Sequence, residues 1–397
     1  MKFSTRADKI EPFYVMEVAK AAQQLAKEVA NGPEPMIFLN IGEPDFTAPA
    51  QVQQAASVCI AQGSTQYTNA LGLEALREAI SAWYQSRFGV DVPAQRIVIT
   101  AGASAALQLA CLALIEPGDE ILMPDPSYPC NRHFVSAAEG TAKLIPTGAA
   151  ERYQLSAEQV AAHWGEQTRG VLLASPSNPT GTSIDPAELR RIHEVVKAKG
   201  GITIVDEIYL GLSYEEAFGH SALAISDDII SINSFSKYFN MTGWRLGYLI
   251  GPAEVIEGAR KVHDFLTVGA AAPLQEAAVA GLEMPASYYE ELQALYTEKR
   301  DHFLAGLDRV GLKHNVPQGT YFVMIDISDF LALPQFKGWT DLQFCEWMIR
   351  EVGVAAVPGS SFFREPVNHL IRMHFARGTD VLDEAVRRLE KLQAFLK

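Results

Sequence analysis

Ile229-Ile230-Ser231-Ile232-Asn233-Ser234-Phe235-Ser236-Lys237-Tyr238-Phe239-Asn240-Met241-Thr242-Gly243-Trp244-Arg245-Leu246-Gly247-Tyr248 holds a lysine between two apolar runs. The first run, Ile229 to Asn233, reads as a buried strand, and Leu246 to Ile250 reads as another. Lys237 therefore falls at a strand end, with Ser234 and Ser236 before it and Arg245 after it. Lysine ordinarily sits on a solvated face. Kept among polar partners in an interior, its amine can form a Schiff base with a carbonyl compound. An arginine nearby suits an anion, most naturally a phosphate. A carbonyl compound carrying a phosphate points to pyridoxal phosphate. A lysine in a plain surface turn is the bland alternative, and the rest of the chain has to decide.

Outward from this stretch, strand-like runs end repeatedly in small or polar turns. Arg96 to Thr100 runs into Ala101-Gly102-Ala103-Ser104-Ala105 and then a helix to about Ile115. Such a helix start is an anion site, because free N–H groups and the helix dipole both face the turn. Glu120 to Met123 begins the next strand, and Asp125-Pro126-Ser127-Tyr128-Pro129 follows as a rigid loop. An aromatic displayed there can stack on a planar ring, or simply pack. Gly170 to Ala174 leads into Ser175-Pro176-Ser177-Asn178-Pro179-Thr180-Gly181, and Asp185-Pro186-Ala187-Glu188 carries a capping-box start for a helix over 186–199. Ile202 to Val205 ends in Asp206-Glu207-Ile208-Tyr209. A carboxylate at that point lies where open α/β sheets place ligand-binding groups. The strand–helix alternation from 96 to 250 predicts one mostly parallel sheet with helices on both faces.

The flanks read differently. Val15 to Ala30 has helical apolar spacing, Met36 to Ile41 is strand-like, and Gly42-Glu43-Pro44-Asp45 is a turn where glycine permits close backbone approach. Tyr67 precedes an amphipathic helix from Leu73 to Phe88. Beyond about residue 285 the pattern becomes α+β. It has strands at Tyr321–Ile325, Val354–Val357 and Leu370–Phe375, and helices over 341–351 and 381–396.

The chain has 397 residues and a formal net charge of −14. That balance argues against nucleic acid or an anionic membrane as partner, and any anionic ligand must be captured by local positive groups. Four cysteines far apart, with no C-x-x-C, fit a reducing compartment. No apolar run has the length of a membrane span, and Met1 to Arg6 lacks the apolar core of a signal peptide. A cytoplasmic location is expected. The nine histidines show no metal-ligand spacing, so no metal site is expected.

Taken together these residues resemble the class I/II aminotransferases of the pyridoxal-phosphate-dependent fold type I superfamily. The resemblance spans nearly the whole chain. It is carried by Gly42-Glu43-Pro44-Asp45, Tyr67, Gly102-Ala103-Ser104, Tyr128, Asn178-Pro179-Thr180-Gly181, Asp206-Glu207-Ile208-Tyr209, Ser234-Phe235-Ser236-Lys237, Met241 to Gly247, and Arg372. It implies an α/β fold, with a large domain over 48–284 built on a mostly parallel seven-stranded sheet sandwiched by helices. A smaller α+β domain would form from 1–47 and 285–397. It also implies that Lys237 holds the cofactor covalently and, once freed, moves a proton at the substrate α-carbon. Asp206 would pair with the pyridine nitrogen, and Asn178 and Tyr209 with the phenolic oxygen. Tyr128 would stack on the ring. Gly102, Ala103, Ser104, Ser234 or Ser236, and Arg245 would hold the phosphate, joined by Tyr67 of a neighbouring subunit. A homodimer with shared active sites follows from that last role. Arg372 would clamp the substrate α-carboxylate, assisted by Asn178 and the backbone of Gly42.

The amino donor is where the resemblance stops. Some related aspartate aminotransferases place a lysine in the phosphate loop, where this chain has Ser104. Others draw a cross-subunit arginine from the segment matching Asp264 to Ala271, which contains none here. A buried distal carboxylate without a cation would cost several kcal/mol. A neutral or apolar donor is therefore expected, with Phe13, Tyr14, Tyr321 and Thr267 as candidates for its pocket. An aspartate/glutamate-type aminotransferase, a β-lyase using the same lysine and aspartate, and a cofactor-sensing regulator are the alternatives.

Overall fold

The computed structural model describes residues 2–10, 18–20, 22–24, 27 and 35–396. In chain order its strands are β1 (Ile37–Phe38), β2 (Ile97–Thr100), β3 (Glu120–Asp125), β4 (Thr141–Pro146), β5 (Thr168–Ala174), β6 (Ile202–Asp206), β7 (Ile230–Ser234), β8 (Gly247–Ile250), β9 (Lys313–His314), β10 (Phe322–Asp326), β11 (Val354–Ala355), β12 (Val357–Pro358) and β13 (Leu370–His374). The principal sheet has seven strands in the order β2-β8-β7-β6-β5-β3-β4. Only β8 runs against its neighbours, pairing antiparallel with both β2 and β7, while the other pairs are parallel. The fold is thus the α/β architecture expected, with a mostly parallel sheet.

Direction decides where function can sit. Because β8 opposes both β2 and β7, β2 points the same way as the parallel set. Thr100, Asp125, Ala174, Asp206 and Ser234 therefore all end on one edge of the sheet. The loops that follow these ends carry the residues singled out from the sequence.

Both faces of the sheet are buried, and the two-residue period of a strand divides its side chains between them. Val171, Leu173 and Val205 join one core with Ile97, Ile99 and Tyr248. Leu172 and Ile204 join the other with Val98, Ile121, Ile232 and Leu249. Helices Ala103–Leu114 and Ala253–Leu266 lend Leu107, Ala110, Ile256 and Ala259 to the second core. Helices Glu74–Phe88 and Pro186–Ala198 lend Leu76, Trp83, Leu189 and Ile192 to the first.

A four-stranded antiparallel sheet, β12-β13-β10-β9, carries the C-terminal residues. The long helix Ala286–Val310 covers it, with Phe303 and Leu307 packed among Phe322, Ile325, Ile371 and Met373. The single strand expected over Val354–Val357 is two strands. β11 pairs with β1 in a small parallel sheet, and β12 pairs with β13, so the chain changes sheets at Ala356. The strand expected at Met36–Ile41 shrinks to β1; Leu39 still bonds Ala355 and His374 through its backbone, and the chain turns from there to bring Ile41 to the cavity described below. The helix at 186 begins as read, with Asp185 Oδ1 accepting from the Ala187 N–H, but the reciprocal half of the capping box is absent. Glu188 instead accepts from the Ala157 N–H and pairs with Arg191. The helix expected over Val15–Ala30 lies largely outside the described residues.

Candidate active site

A cavity of about 260 Å³ opens at the C-terminal edge of the principal sheet. Gly102, at φ 84°, turns β2 into the helix Ala103–Leu114, whose N-terminus faces the cavity without a side-chain cap. The first N–H groups of a helix have no partner within it and carry the positive end of its dipole. A Cβ on Gly102 would stand 2.6 Å from Nη2 of Arg245, so only glycine lets that guanidinium lie over the turn. Arg245 is itself at φ 56°, and its Nη1 donates to the Thr242 carbonyl at 3.0 Å. Ala103, Ser104, Ser236 and Arg245 line this end of the cavity. Ser234 is buried behind it, with Oγ accepting from the Ser236 N–H at 3.3 Å. Ser234 is thus the cap of the turn that presents Lys237 and does not itself line the cavity.

Asp206 ends β6 at the cavity floor, with Oδ1 accepting from the Ile208 N–H at 3.1 Å. Burial lifts its pKa from 3.8 to about 7. The Ile208 bond and Lys237 oppose that rise, and the neighbouring Glu207 carboxylate adds to it. Glu207 points the other way, bonded to Ser221, Ser231 and the Ala222 N–H. Lys237 Nζ donates to the Tyr321 hydroxyl at 2.8 Å and to the Gly42 carbonyl at 3.4 Å. Burial pulls its amine from 10.5 down to about 8. Glu43 and Asp206 resist that shift, and Arg245 and Arg372 reinforce it.

Arg372, on β13, is 3% exposed. Nη1 donates to Asn178 Oδ1 at 2.6 Å and Nη2 to the Asn40 carbonyl at 3.0 Å. Its guanidinium lies over the rings of Phe322 at 4.1 Å and Phe362 at 4.7 Å. Burial draws its pKa down to about 10. Among the described residues its Nε is buried without an acceptor and no carboxylate pairs with it. A buried cation without a carboxylate partner, at the wall of a cavity, suits an anion clamp. Tyr128, Asn178 and Tyr209 line the same cavity.

The turn Gly42 to Asp45 closes one side. Asp45 pairs with Arg377, Glu43 accepts from the Thr242 hydroxyl at 2.5 Å, and a Cβ on Gly42 would stand 2.4 Å from the Phe322 ring. Close ring approach, not turn geometry, requires this glycine.

The structure thus brings Gly42, Ala103, Ser104, Tyr128, Asn178, Asp206, Tyr209, Ser236, Lys237, Arg245 and Arg372 to one cavity. Tyr67 stands outside it, 91% exposed. Thr267 is exposed and does not line the cavity of its own copy. Its loop follows the end of a helix on the surface. Phe13 and Tyr14 lie outside the described residues. Tyr321 touches Lys237 itself. The apolar walls are Ile41, Leu107, Ile208, Phe322 and Phe362. Of these, Phe362 follows a Pro-Gly turn that gave no sign of facing a ligand.

A sheet of this order, ending in a lysine and a carboxylate at a cavity that a buried arginine of the smaller sheet also lines, defines a fold type I enzyme. The sequence matches the family described as "Aminotransferase class I and II" over residues 34–389. It is 36% identical to the valine–pyruvate aminotransferase of Mycobacterium tuberculosis, covering 96% of each chain. It is 33% identical to the methionine aminotransferase of Escherichia coli, over 90% of this chain and 92% of that one. The aspartate aminotransferase of Rhizobium meliloti superposes with a TM-score of 0.91 at 30% identity, over 100% of this chain and 99% of that one. The chain belongs to the class I and II aminotransferases, and it is a transaminase.

Proposed function

We propose that the cavity holds pyridoxal 5'-phosphate on Lys237 and serves to move the amino group of a neutral or apolar L-amino acid to a 2-oxo acid. The observation that carries this reading is the convergence of Lys237, Asp206, a free helix N-terminus and Arg372 on one cavity. The residues fit the group. Gly102 leaves space for Arg245 beside the helix start, and Arg372 brings a guanidinium with no carboxylate partner among the described residues to the cavity wall.

When bound, the cofactor supplies a carbonyl carbon to take the nitrogen and a ring to accept electron density. Asp206 would hold the ring nitrogen in its protonated form, and that cation would in turn favour the ionised carboxylate. Tyr209 and Asn178 would hydrogen-bond the phenolic oxygen, and Tyr128 would cover the ring. Ala103, Ser104, Ser236 and Arg245 would hold the phosphate. Arg372 orients the substrate by its α-carboxylate, and Lys237 Nζ takes the proton from the α-carbon. Near neutral pH an amine of pKa about 8 gives a usable fraction of free base, which an ordinary lysine would not.

The donor class rests on charge. The cations lining the cavity are Lys237, Arg245 and Arg372, and each has a role already. None is left among the described residues for a second carboxylate, whereas Ile41, Phe322 and Phe362 offer apolar contact. Relatives named for valine and methionine match most of the chain, as do aspartate aminotransferases, so the charge of the cavity carries the donor class.

We infer further that two copies complete each site. Tyr67, Phe265, Leu266 and Val268 are exposed, and a Cβ on Gly269 would stand 3.4 Å from Thr68 Oγ1, so these residues lie close together on the surface. A second copy would cover them and receive Tyr67 at its phosphate end. The chain divides on this reading into a large region, 48–284, and a small one, 1–47 with 285–397. Borohydride reduction of the chain after incubation with pyridoxal phosphate tests the anchor. The expected result is one stable adduct on the Lys237 peptide, and an adduct on any other lysine would contradict it.

A further inference from the structure

Tyr321 is fully buried and immediately precedes β10. Its ring is wedged edge-on to Tyr209 at 5.5 Å and tilted against Tyr296 at 5.8 Å. Its hydroxyl donates to the Gly42 carbonyl at 2.7 Å and accepts from Lys237 Nζ at 2.8 Å. A phenol has one proton, and here it is committed to Gly42, so a lone pair is left facing the amine. Burial raises the phenol's pKa well above its ordinary value, which keeps that proton in place. The residue before it, Thr320, is held at φ 66° with Oγ1 accepting from the Phe322 N–H at 3.0 Å. A β-branched residue in that region is a true outlier, and such strain persists only where the surroundings fix it. The backbone is thus constrained where it aims this phenol.

We propose that Tyr321 is a positioning residue for Lys237, its hydroxyl and the Gly42 carbonyl forming the rest on which the freed lysine side chain sits in its protonated form. The inference rests on the proposed function, since it concerns what the lysine does when not bonded to the cofactor. Lysine has four rotatable bonds, and without a rest the amine would sample positions from which it cannot return the proton. The same rest ties two contacts together. Gly42 lies two residues from Asn40, whose carbonyl receives Arg372. The segment that helps hold the carboxylate clamp therefore also fixes the acceptor of the proton-carrying amine.

A hydrogen bond to the charged form favours it. Tyr321 therefore raises the Lys237 pKa against the lowering by burial, and its removal should lower that pKa further. The other titratable groups facing the amine are Glu43, Asp206, Tyr209, Arg245 and Arg372, and all keep their side chains in Tyr321→Phe. The test is trace acetylation of Lys237 across pH 6 to 10 with peptide mass spectrometry. It is run on the full-length chain carrying the amino form of the cofactor, in which the lysine is free. In Tyr321→Phe the midpoint should fall by roughly one pH unit relative to the unaltered chain, and turnover should drop with little change in substrate KM.

Tyr321→Phe removes one oxygen and keeps every ring contact, so the fold should hold. Tyr296→Phe is the control. Its hydroxyl is buried with no partner among the described residues, and it touches Tyr321 only through the ring. An unchanged midpoint in Tyr321→Phe, or an equal shift in both variants, would overturn the proposal. Cofactor uptake is read separately by absorbance. A chain that takes up none would defeat the proposed function, and the same labelling on that chain would still decide Tyr321.

Discussion

Arg372 illustrates how a single side chain acquires a role from its surroundings. Buried between two aromatic rings with one N–H unsatisfied, it bears a desolvation cost that only an anion can offset. Arg372→Ala should lower kcat/KM for every amino acid alike, by roughly a hundredfold for the loss of charge-assisted bonds. A steady-state comparison of several donors checks this, and a change confined to donor preference would contradict it. Lys237→Ala should reduce turnover by at least about 10²–10⁴-fold, the scale of a positioned acid–base group, while cofactor still binds without a covalent link. Absorbance and activity on one sample read both. Asp206 adds a prediction about pH. Its folded pKa is raised, so the cost of its ionised form is absent below the unfolded value near 3.8 and full above about 7. Without cofactor, Asp206→Asn should therefore melt several degrees higher than the unaltered chain at pH 8, and no higher at pH 4. Thermal melts at the two pH values decide it. Lys237 and Asp206 were legible because a lysine or carboxylate has few uses at a strand end, whereas Tyr128 and the mid-strand Arg372 were picked out only by the family resemblance. The apolar walls were not, because Phe322 and Phe362 look like any core residue until the fold places them.

Elements carry the site in proportion to how strongly their ends are specified. The helix starting at Ala103 faces the cavity because Gly102 adopts φ 84°, and both facts follow from Ala-Gly-Ala-Ser. Gly102→Ala would force a Cβ to within 2.6 Å of Arg245 and strain the turn by about 1–3 kcal/mol. Cofactor affinity should weaken at least tenfold, measured by fluorescence titration, and an unchanged affinity would refute the phosphate role of this turn. Strands buried on both faces were readable as apolar runs. Edge strand β4, Thr141–Pro146, was not, since its residues are largely half-exposed and include Lys143. The division of Val354–Pro358 between two sheets was equally invisible. Four apolar residues in a row state burial, not partner. Glu188 shows local pattern yielding to tertiary contact, because the Ala157 N–H competes for the carboxylate that would close the capping box.

At the scale of the whole molecule, the charge of −14 leaves the cavity's cations as a local exception, and the chain's own topology gathers them. The exposed Tyr67 and Phe265 belong to this scale too, since the proposed second copy would cover them. Phe265→Asp should convert a dimer to a monomer in analytical ultracentrifugation and weaken cofactor binding with it. A dimer that survives the charge would place the interface elsewhere. Fold class was legible from strand–helix alternation alone. The proposed donor class rests in the sequence on a missing cation alone, and the cavity's apolar walls add the contacts such a donor would need.

The most direct test of the central claim is the absorbance spectrum of the cofactor-loaded chain after addition of single amino acids, with no 2-oxo acid present. Conversion to the amino form of the cofactor is expected, fastest with neutral or apolar donors such as valine or methionine and slow with aspartate and glutamate. Fastest conversion by aspartate or glutamate would contradict the donor class, and no conversion by any amino acid would contradict the proposed reaction at this site.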